Sequence, residues 1–282
     1  METADFVICG SGIVGLTLAR ELTARGADSI YILDKEPAPG LHASGRNSGV
    51  LHAGIYYAPD SERARTCLAG NRLMKAYCRE RGLPLLENGK VIVASAPEQL
   101  PTLDELYRRA LANGADVVVV DEAGLKEIEP HARTVQRALH SRDTAVISPK
   151  AVLQSLRDEL ALSGRVRFGF SRAVTGRKDG VARTLLTSQG PVRYGFFINA
   201  AGAHADKVAA HFGAGQIYRL LPFKGLYRQL RPERTDLVRG SVYPVPDIRN
   251  PFLGVHFTRS VNGEVHIGPT AIPAFGRENY GI

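Results

Sequence analysis

Phe6-Val7-Ile8-Cys9-Gly10-Ser11-Gly12-Ile13-Val14-Gly15 opens the most legible stretch of this chain, which closes at Ile30-Tyr31-Ile32-Leu33-Asp34. Residues 6–9 are an apolar run of strand length, and a GxGxxG turn follows at once. Val14, Leu18 and Leu22 recur at helical spacing, which predicts a helix to about Arg25, stopped by Gly26. Residues 30–33 read as a second strand, and Asp34 ends it nineteen positions after Gly15. A GxGxxG alone is weak evidence; the strand before it, the helix behind it and the acid at the second strand's end are the context it needs. Gly10 then makes the tight turn, Gly12 lets a pyrophosphate approach the backbone, and Gly15 allows the helix to pack on the strand. The phosphates would sit on the helix N-terminus beside Ile13 and Val14, and Asp34 would accept from a ribose. A ligand-free α/β turn is the alternative, and the full β-turn-α-β context favours binding over it.

Outward from this unit the pattern is less regular. A Gly/Ser/His-rich segment covers 40–54, and a helix is expected over about 60–81, with Ala64, Cys67, Leu68, Met74 and Tyr77 roughly on one face. Residues 91–93 read as a strand, 98–113 as a helix and 117–120 as a strand. Ser148-Pro149 is a helix start with a serine cap and proline at the first helical position. Val152, Leu153, Leu156 and Leu160 give that helix its apolar stripe before Gly164. Strand-like pieces follow at 166–170, 183–187 and 192–198, the last running into Asn199-Ala200-Ala201-Gly202. From 218 to 267 the chain is β-rich and broken by prolines. These segments predict an α/β protein in two discontinuous parts. A Rossmann-like nucleotide-binding domain would use 1–82 and 148–212, and a β-rich, α+β substrate domain 83–147 and 213–282.

Composition narrows the partners. The 282 residues are 44% hydrophobic and 23% charged, an ordinary globular profile with room for about two domains. No apolar run reaches the roughly 18 residues of a membrane span. The acidic start, Met1-Glu2-Thr3-Ala4-Asp5, reads as neither a signal nor a transit peptide, so a cytoplasmic protein is expected. The charge of +8 comes without any block of consecutive basic residues and without aromatics interleaved with arginine, which argues against nucleic acid. It suits an anionic small molecule, with peripheral contact to an anionic membrane as a further option. Cys9, Cys67 and Cys78 have no metal-ligand spacing, so no metal is expected.

Three further stretches narrow the reading: Ser44-Gly45-Arg46-Asn47-Ser48-Gly49-Val50-Leu51-His52-Ala53-Gly54-Ile55-Tyr56-Tyr57, LPFKGLYRQL at 221–230 and VYPVPDIRNPFLGVHFTRSVNGEVHIGPTA at 242–271. With the GxGxxG unit and Asn199-Ala200-Ala201-Gly202, the chain resembles the FAD-dependent D-amino-acid-oxidase-like oxidoreductases. Within them it resembles the L-2-hydroxyglutarate dehydrogenase/oxidase family along nearly its whole length. The resemblance implies a flavoprotein with FAD that oxidises (S)-2-hydroxyglutarate to 2-oxoglutarate and passes electrons to a quinone or oxygen. It implies FAD contacts at Gly10, Gly12, Ile13, Val14, Gly15, Asp34, Lys35, Ser44, Arg46, Asn47, Ser48, Gly49, Ala201 and Gly202. Arg46 stands where the family often has His, and Asp34 where related flavoproteins often have Glu. Family members also continue past the point that matches this chain's end, with a segment that returns to the flavin. Other substrates on the same fold (amino acids, secondary amines, glycerol 3-phosphate) and a non-catalytic nucleotide binder remain the alternatives.

Oxidation of a 2-hydroxy acid needs a base near neutrality, cations for the carboxylates and a dry site. Histidine suits the base, and His52 and His256 are the two histidines of interest within the family-like motifs; the sequence does not rank them. Arginine and lysine suit a dicarboxylate, which points to Lys224 and Arg259, and Tyr56 and Tyr243 could hydrogen-bond the substrate or cover the ring.

Overall fold

Ala4, Val7 and Ile8 of the first strand are buried, as is every residue of Ile30–Leu33, so both strands lie inside a covered sheet. The structure is a computed structural model that describes residues 1–178, 183–247 and 254–281. It divides into two units: residues 1–47, 149–222 and 273–282 make unit 1, and 48–148 and 223–272 make unit 2.

Unit 1 carries a six-stranded sheet in the order Val174–Arg177, Thr184–Thr187, Val192–Asn199, Glu2–Cys9, Ile30–Leu33, Val166–Gly169. The last four strands pair in parallel, with Cys9 opposite both Asn199 and Leu33. The Ile13–Ala24 helix buries Gly15, Leu16 and Ala19, whereas Val14 is 64% exposed. The expected Val14/Leu18/Leu22 stripe is therefore displaced, because the small faces of Gly15 and Ala19 let the helix lie close on the sheet. The Pro149–Leu162 helix begins at the expected proline and buries the expected Val152, Leu153, Leu156 and Leu160. Arg172 is buried in this unit without having been singled out in the sequence. It donates to Tyr31 Oη at 2.7 Å, Thr187 Oγ1 at 2.8 Å and the Gly190 carbonyl at 3.2 Å, and it pairs with Glu2.

Unit 2 carries a seven-stranded sheet in the order Phe223–Gln229, Val265–Pro273, His256–Arg259, Ser241–Pro244, Lys90–Val93, Arg137–Ser141, Val117–Asp121. A small sheet of Val50–Leu51, Ala145–Ile147 and Leu85–Leu86 accompanies it. Residues 48–82 are expected in the nucleotide-binding part. They belong to unit 2, because Val50 and Leu51 pair with Val146 and Ala145, and Asn71 of the Glu62–Glu80 helix donates to the Leu51 and Asp143 carbonyls. Residues 213–222 and 273–281 belong to unit 1. Residues 248–253 of the 242–271 motif lie outside the described residues.

The Leu100–Ala112 helix presents Leu103, Leu106 and Ala110 to one core cluster that also holds Ile55, Ile92, Leu139 and Tyr243. Leu103 is fully buried there. Leu103→Ala should cost about 2–5 kcal/mol, since the lost transfer energy adds to that of the cavity left behind. Thermal unfolding measures it, and an unchanged Tm would show that this cluster does not support unit 2. Among the described residues, no helix is long and apolar enough to cross a membrane.

Candidate active site

The turn after the first strand shows why glycine stands at three positions. Gly10 has φ +113°, and a Cβ there would lie 2.3 Å from the Ala200 carbonyl oxygen. At Gly15 a Cβ would lie 1.9 Å from the Gly10 carbonyl oxygen, which closes the helix onto the turn. At Gly12 the nearest atom would be Ser44 Oγ at 3.0 Å, so the lack of a side chain leaves the backbone approachable. Gly12 caps the helix without a side-chain hydrogen bond, and the Ile13 N–H donates to Ser44 Oγ at 3.1 Å. Asp34 fixes the turn from the neighbouring strand: it accepts from the Ser11 N–H at 2.7 Å, from the Ser11 hydroxyl, and from the Glu36 N–H at 2.9 Å. Parallel pairing brings the end of Val192–Asn199 beside the same turn, where Asn199 Oδ1 accepts from the Ala201 N–H and Gly202 has φ +54°. Open strand ends of this kind are where doubly wound sheets bind nucleotides. Burial and Asp34 push the Cys9 thiol up to about 12, so it packs as a neutral group.

The expected contacts further along unit 1 have other partners. Lys35 Nζ pairs with Glu36 and with Glu278, the latter at 2.6 Å. The Arg46 guanidinium lies 4.3 Å from the Tyr280 ring centroid, and its Nε donates to the Leu41 carbonyl. Asn47 donates to the Ala43 and Ser44 carbonyls, which shapes the loop that presents Ser44. Lys35, Arg46 and His42 thus hold the 277–281 segment, with His42 Nδ1 2.7 Å from Tyr280 Oη. Glu36, His42 and Glu278 converge closely, but the Lys35 ammonium already sits against both carboxylates and supplies the positive charge there. Ser48 and Gly49 belong to unit 2, where the Gly49 carbonyl accepts from the Ile147 N–H.

Unit 2 holds a second concentration of polar groups on one face of its large sheet. Lys90 stands opposite Ser241, and Ser241 opposite Thr258. In the next row Tyr243 lies opposite Ile92, and the His256 ring stacks on Tyr243 with centroids 3.8 Å apart. His52 meets Tyr243 edge-on at 6.2 Å and Tyr56 at 6.5 Å. The sequence-derived His52, Tyr56, Tyr243 and His256 therefore converge, although they come from two separate stretches.

His256 Nδ1 lies 2.8 Å from the Gly254 carbonyl. A carbonyl only accepts, so Nδ1 carries the hydrogen of the neutral ring and Nε2 carries the lone pair. Burial lowers His256 further, with Lys90 adding to it against the Gly254 contact. Burial, then Lys90, then His256 bring His52 down to about 3. Both imidazoles are neutral at pH 7, and burial holds the Tyr56 and Tyr243 phenols protonated.

Lys90 was missed by the sequence reading, which started its strand at Val91. It is 1% exposed, and its Nζ lies 4.6 Å from the Tyr56 ring centroid and 4.9 Å from that of Tyr243. The available signal was the alternation: Lys90 shares a face with Ile92, and that face is buried. Lys224 lies half-buried in the Phe223–Gln229 strand. Arg259 donates through Nη1 to the Thr235 and Val238 carbonyls at 2.7 and 3.0 Å, which ties down the Pro232–Leu237 turn.

The model for the FAD dependent oxidoreductase family (DAO) matches residues 5–281. The mitochondrial L-2-hydroxyglutarate dehydrogenase of Nematostella vectensis is 38% identical over 297 residues, covering 100% of this chain and 65% of that protein. Its counterpart from Homo sapiens is 37% identical over 290 residues, covering 98% of this chain and 62% of that protein. The chain thus spans a little under two thirds of these relatives. Among solved structures, the dithionite-reduced, FAD-bound L-alpha-glycerophosphate oxidase of Mycoplasma pneumoniae superposes with a TM-score of 0.88 at 24% identity. It covers 99% of this chain and 74% of that one. The chain belongs to the FAD dependent oxidoreductase family.

Proposed function

We propose that this member of the family holds FAD at the Gly10–Gly15 turn and oxidises (S)-2-hydroxyglutarate to 2-oxoglutarate, with His52 or His256 as proton acceptor. The observation that carries the reading is the pair of neutral imidazoles, His52 half-buried and His256 buried, with Nε2 of His256 left as an acceptor. The names of the 36–38% identical relatives supply the substrate. The turn fits the cofactor on three counts: the tight backbone packing that glycine permits at Gly10 and Gly15, the side-chain-free Gly12 at the helix start and the acid at Asp34.

When bound, FAD supplies a two-electron acceptor for the hydride from C2 of the hydroxy acid. Gly12 and the start of the Ile13–Ala24 helix would receive its pyrophosphate, and Asp34 would accept from ribose hydroxyls. One of the two imidazoles takes the hydroxyl proton as the hydride leaves. A dianionic substrate raises the pKa of that imidazole, so the base strengthens when the substrate enters. Tyr56 packs against His52, and Tyr243 against both imidazoles. Lys224 is our assignment for the distal carboxylate, and Arg259, occupied by two carbonyls, is given no substrate role. Electrons then pass to a quinone or oxygen.

The test incubates the FAD-loaded chain with an electron-accepting dye and, separately, (S)-2-hydroxyglutarate, glycerol 3-phosphate and amino acids. Formation of 2-oxoglutarate from the first substrate alone is expected. Turnover of another substrate without it would replace the substrate and leave the flavin chemistry standing.

A further inference from the structure

An ammonium buried without a counter-charge is costly, and an apolar side chain of the same length would fit a core at less expense. Lys90 Nζ is such a group: among the described residues it has no hydrogen-bond partner, and it lies over the rings of two tyrosines. Those rings attract a cation through their quadrupoles, which offsets part of the cost. The same two rings are the ones His52 meets edge-on, and His256 lies flat on one of them. The ammonium and both imidazoles therefore share one dry shell, where charges act on one another far more strongly than in water.

Among the described residues, the other ionisable groups acting within this shell are Cys67 from the Glu62–Glu80 helix, Tyr57 from the 48–61 segment and Tyr227 from the Phe223–Gln229 strand. None is a carboxylate. Further orphaned atoms in the unit, His52 Nδ1, Tyr56 Oη, Ser241 Oγ and Thr258 Oγ1, are neutral. Nothing among these groups cancels the positive charge.

We propose that Lys90 is a positioning residue, whose ammonium over the Tyr56 and Tyr243 rings adds to burial in keeping His52 and His256 unprotonated, so that they meet a hydroxy acid as bases. This rests on the reading of the pair given above. The sign is consistent: burial brings Lys90 down to about 7, so it is charged below that pH, where a histidine of ordinary pKa near 6.5 would itself take a proton.

The test is a proton-NMR titration of the histidine rings in the full chain without substrate, with His52→Asn and His256→Asn variants used to assign the two signals. In Lys90→Met the midpoints of both rings should rise by about one pH unit or more. Lys90→Arg, which keeps the charge, should titrate like the parent chain. In the FAD-loaded protein the acid limb of flavin reduction should move to higher pH in Lys90→Met by the same amount, with the plateau above it kept. Should Lys90→Met fail to fold, Lys90→Gln removes the charge in a polar side chain one atom shorter and is read in the same way. Imidazoles that titrate alike with and without the Lys90 charge would overturn the proposal. Because the titration uses no substrate, that failure is separate from a failure of 2-hydroxyglutarate turnover. The latter, with the histidine shifts intact, would count against the proposed reaction alone.

Discussion

Replacing His52 and His256 singly by Asn should slow flavin reduction by (S)-2-hydroxyglutarate about 10²–10⁴-fold in the variant that loses the proton acceptor. The other variant, which loses only a packing neighbour, should lose far less. Asparagine keeps much of the polar bulk but cannot take a proton near neutrality, so the comparison isolates the base. The acid limb should disappear from the pH profile of the slow variant, because the group whose protonation stops the reaction is gone. Stopped-flow absorbance under anaerobic conditions reads both effects. Near-parental rates in both single variants would remove the imidazole pair from the mechanism.

Gly15→Ala should leave the chain unable to retain FAD. The added Cβ would meet the Gly10 carbonyl oxygen at 1.9 Å, and that partner is backbone, with no flexible side-chain end to give way. Either the helix lifts or the turn opens. Overpacking costs about 1–3 kcal/mol in an ordinary core, and here the displaced atoms are the ones that receive the pyrophosphate. Gly70→Ala is the control. Gly70 sits inside the Glu62–Glu80 helix with nothing within 4 Å of its Cβ position, so alanine should stabilise the chain by up to about 1 kcal/mol and leave FAD uptake unchanged. Equilibrium dialysis with FAD and thermal unfolding separate the two outcomes. A Gly15→Ala protein that is yellow and parental in Tm would contradict the cradle.

The nucleotide turn was readable because everything that makes it work is local: strand, three glycines, helix and acid fall within residues 6–34. Its helix was misread at Val14 because the packing face follows the smallest side chains, Gly15 and Ala19, which an apolar count does not reward. The assignment of 48–82 rests on pairing between strands of two and three residues, Val50–Leu51, Leu85–Leu86 and Ala145–Ile147, too short to leave a periodic signal. His52, Tyr56, Tyr243 and His256 could be named from motifs, but their convergence depends on strand register. Lys35, Arg46 and Arg259 look like anion binders in sequence. Their partners, Glu278, Tyr280 and two backbone carbonyls, are distant or carry no side-chain signature. Lys90 escaped for the opposite reason. A lysine is normally solvated, and only its face of the strand marks it as buried.

One spectrum tests both the FAD seat and the oxidation of the hydroxy acid. The purified chain, loaded with FAD and kept free of oxygen, is mixed with (S)-2-hydroxyglutarate while the oxidised flavin band is followed. The account predicts a yellow protein whose band bleaches on mixing and returns when an oxidant is admitted. A chain that takes up no FAD, or one whose bound FAD stays oxidised in excess (S)-2-hydroxyglutarate, would contradict it.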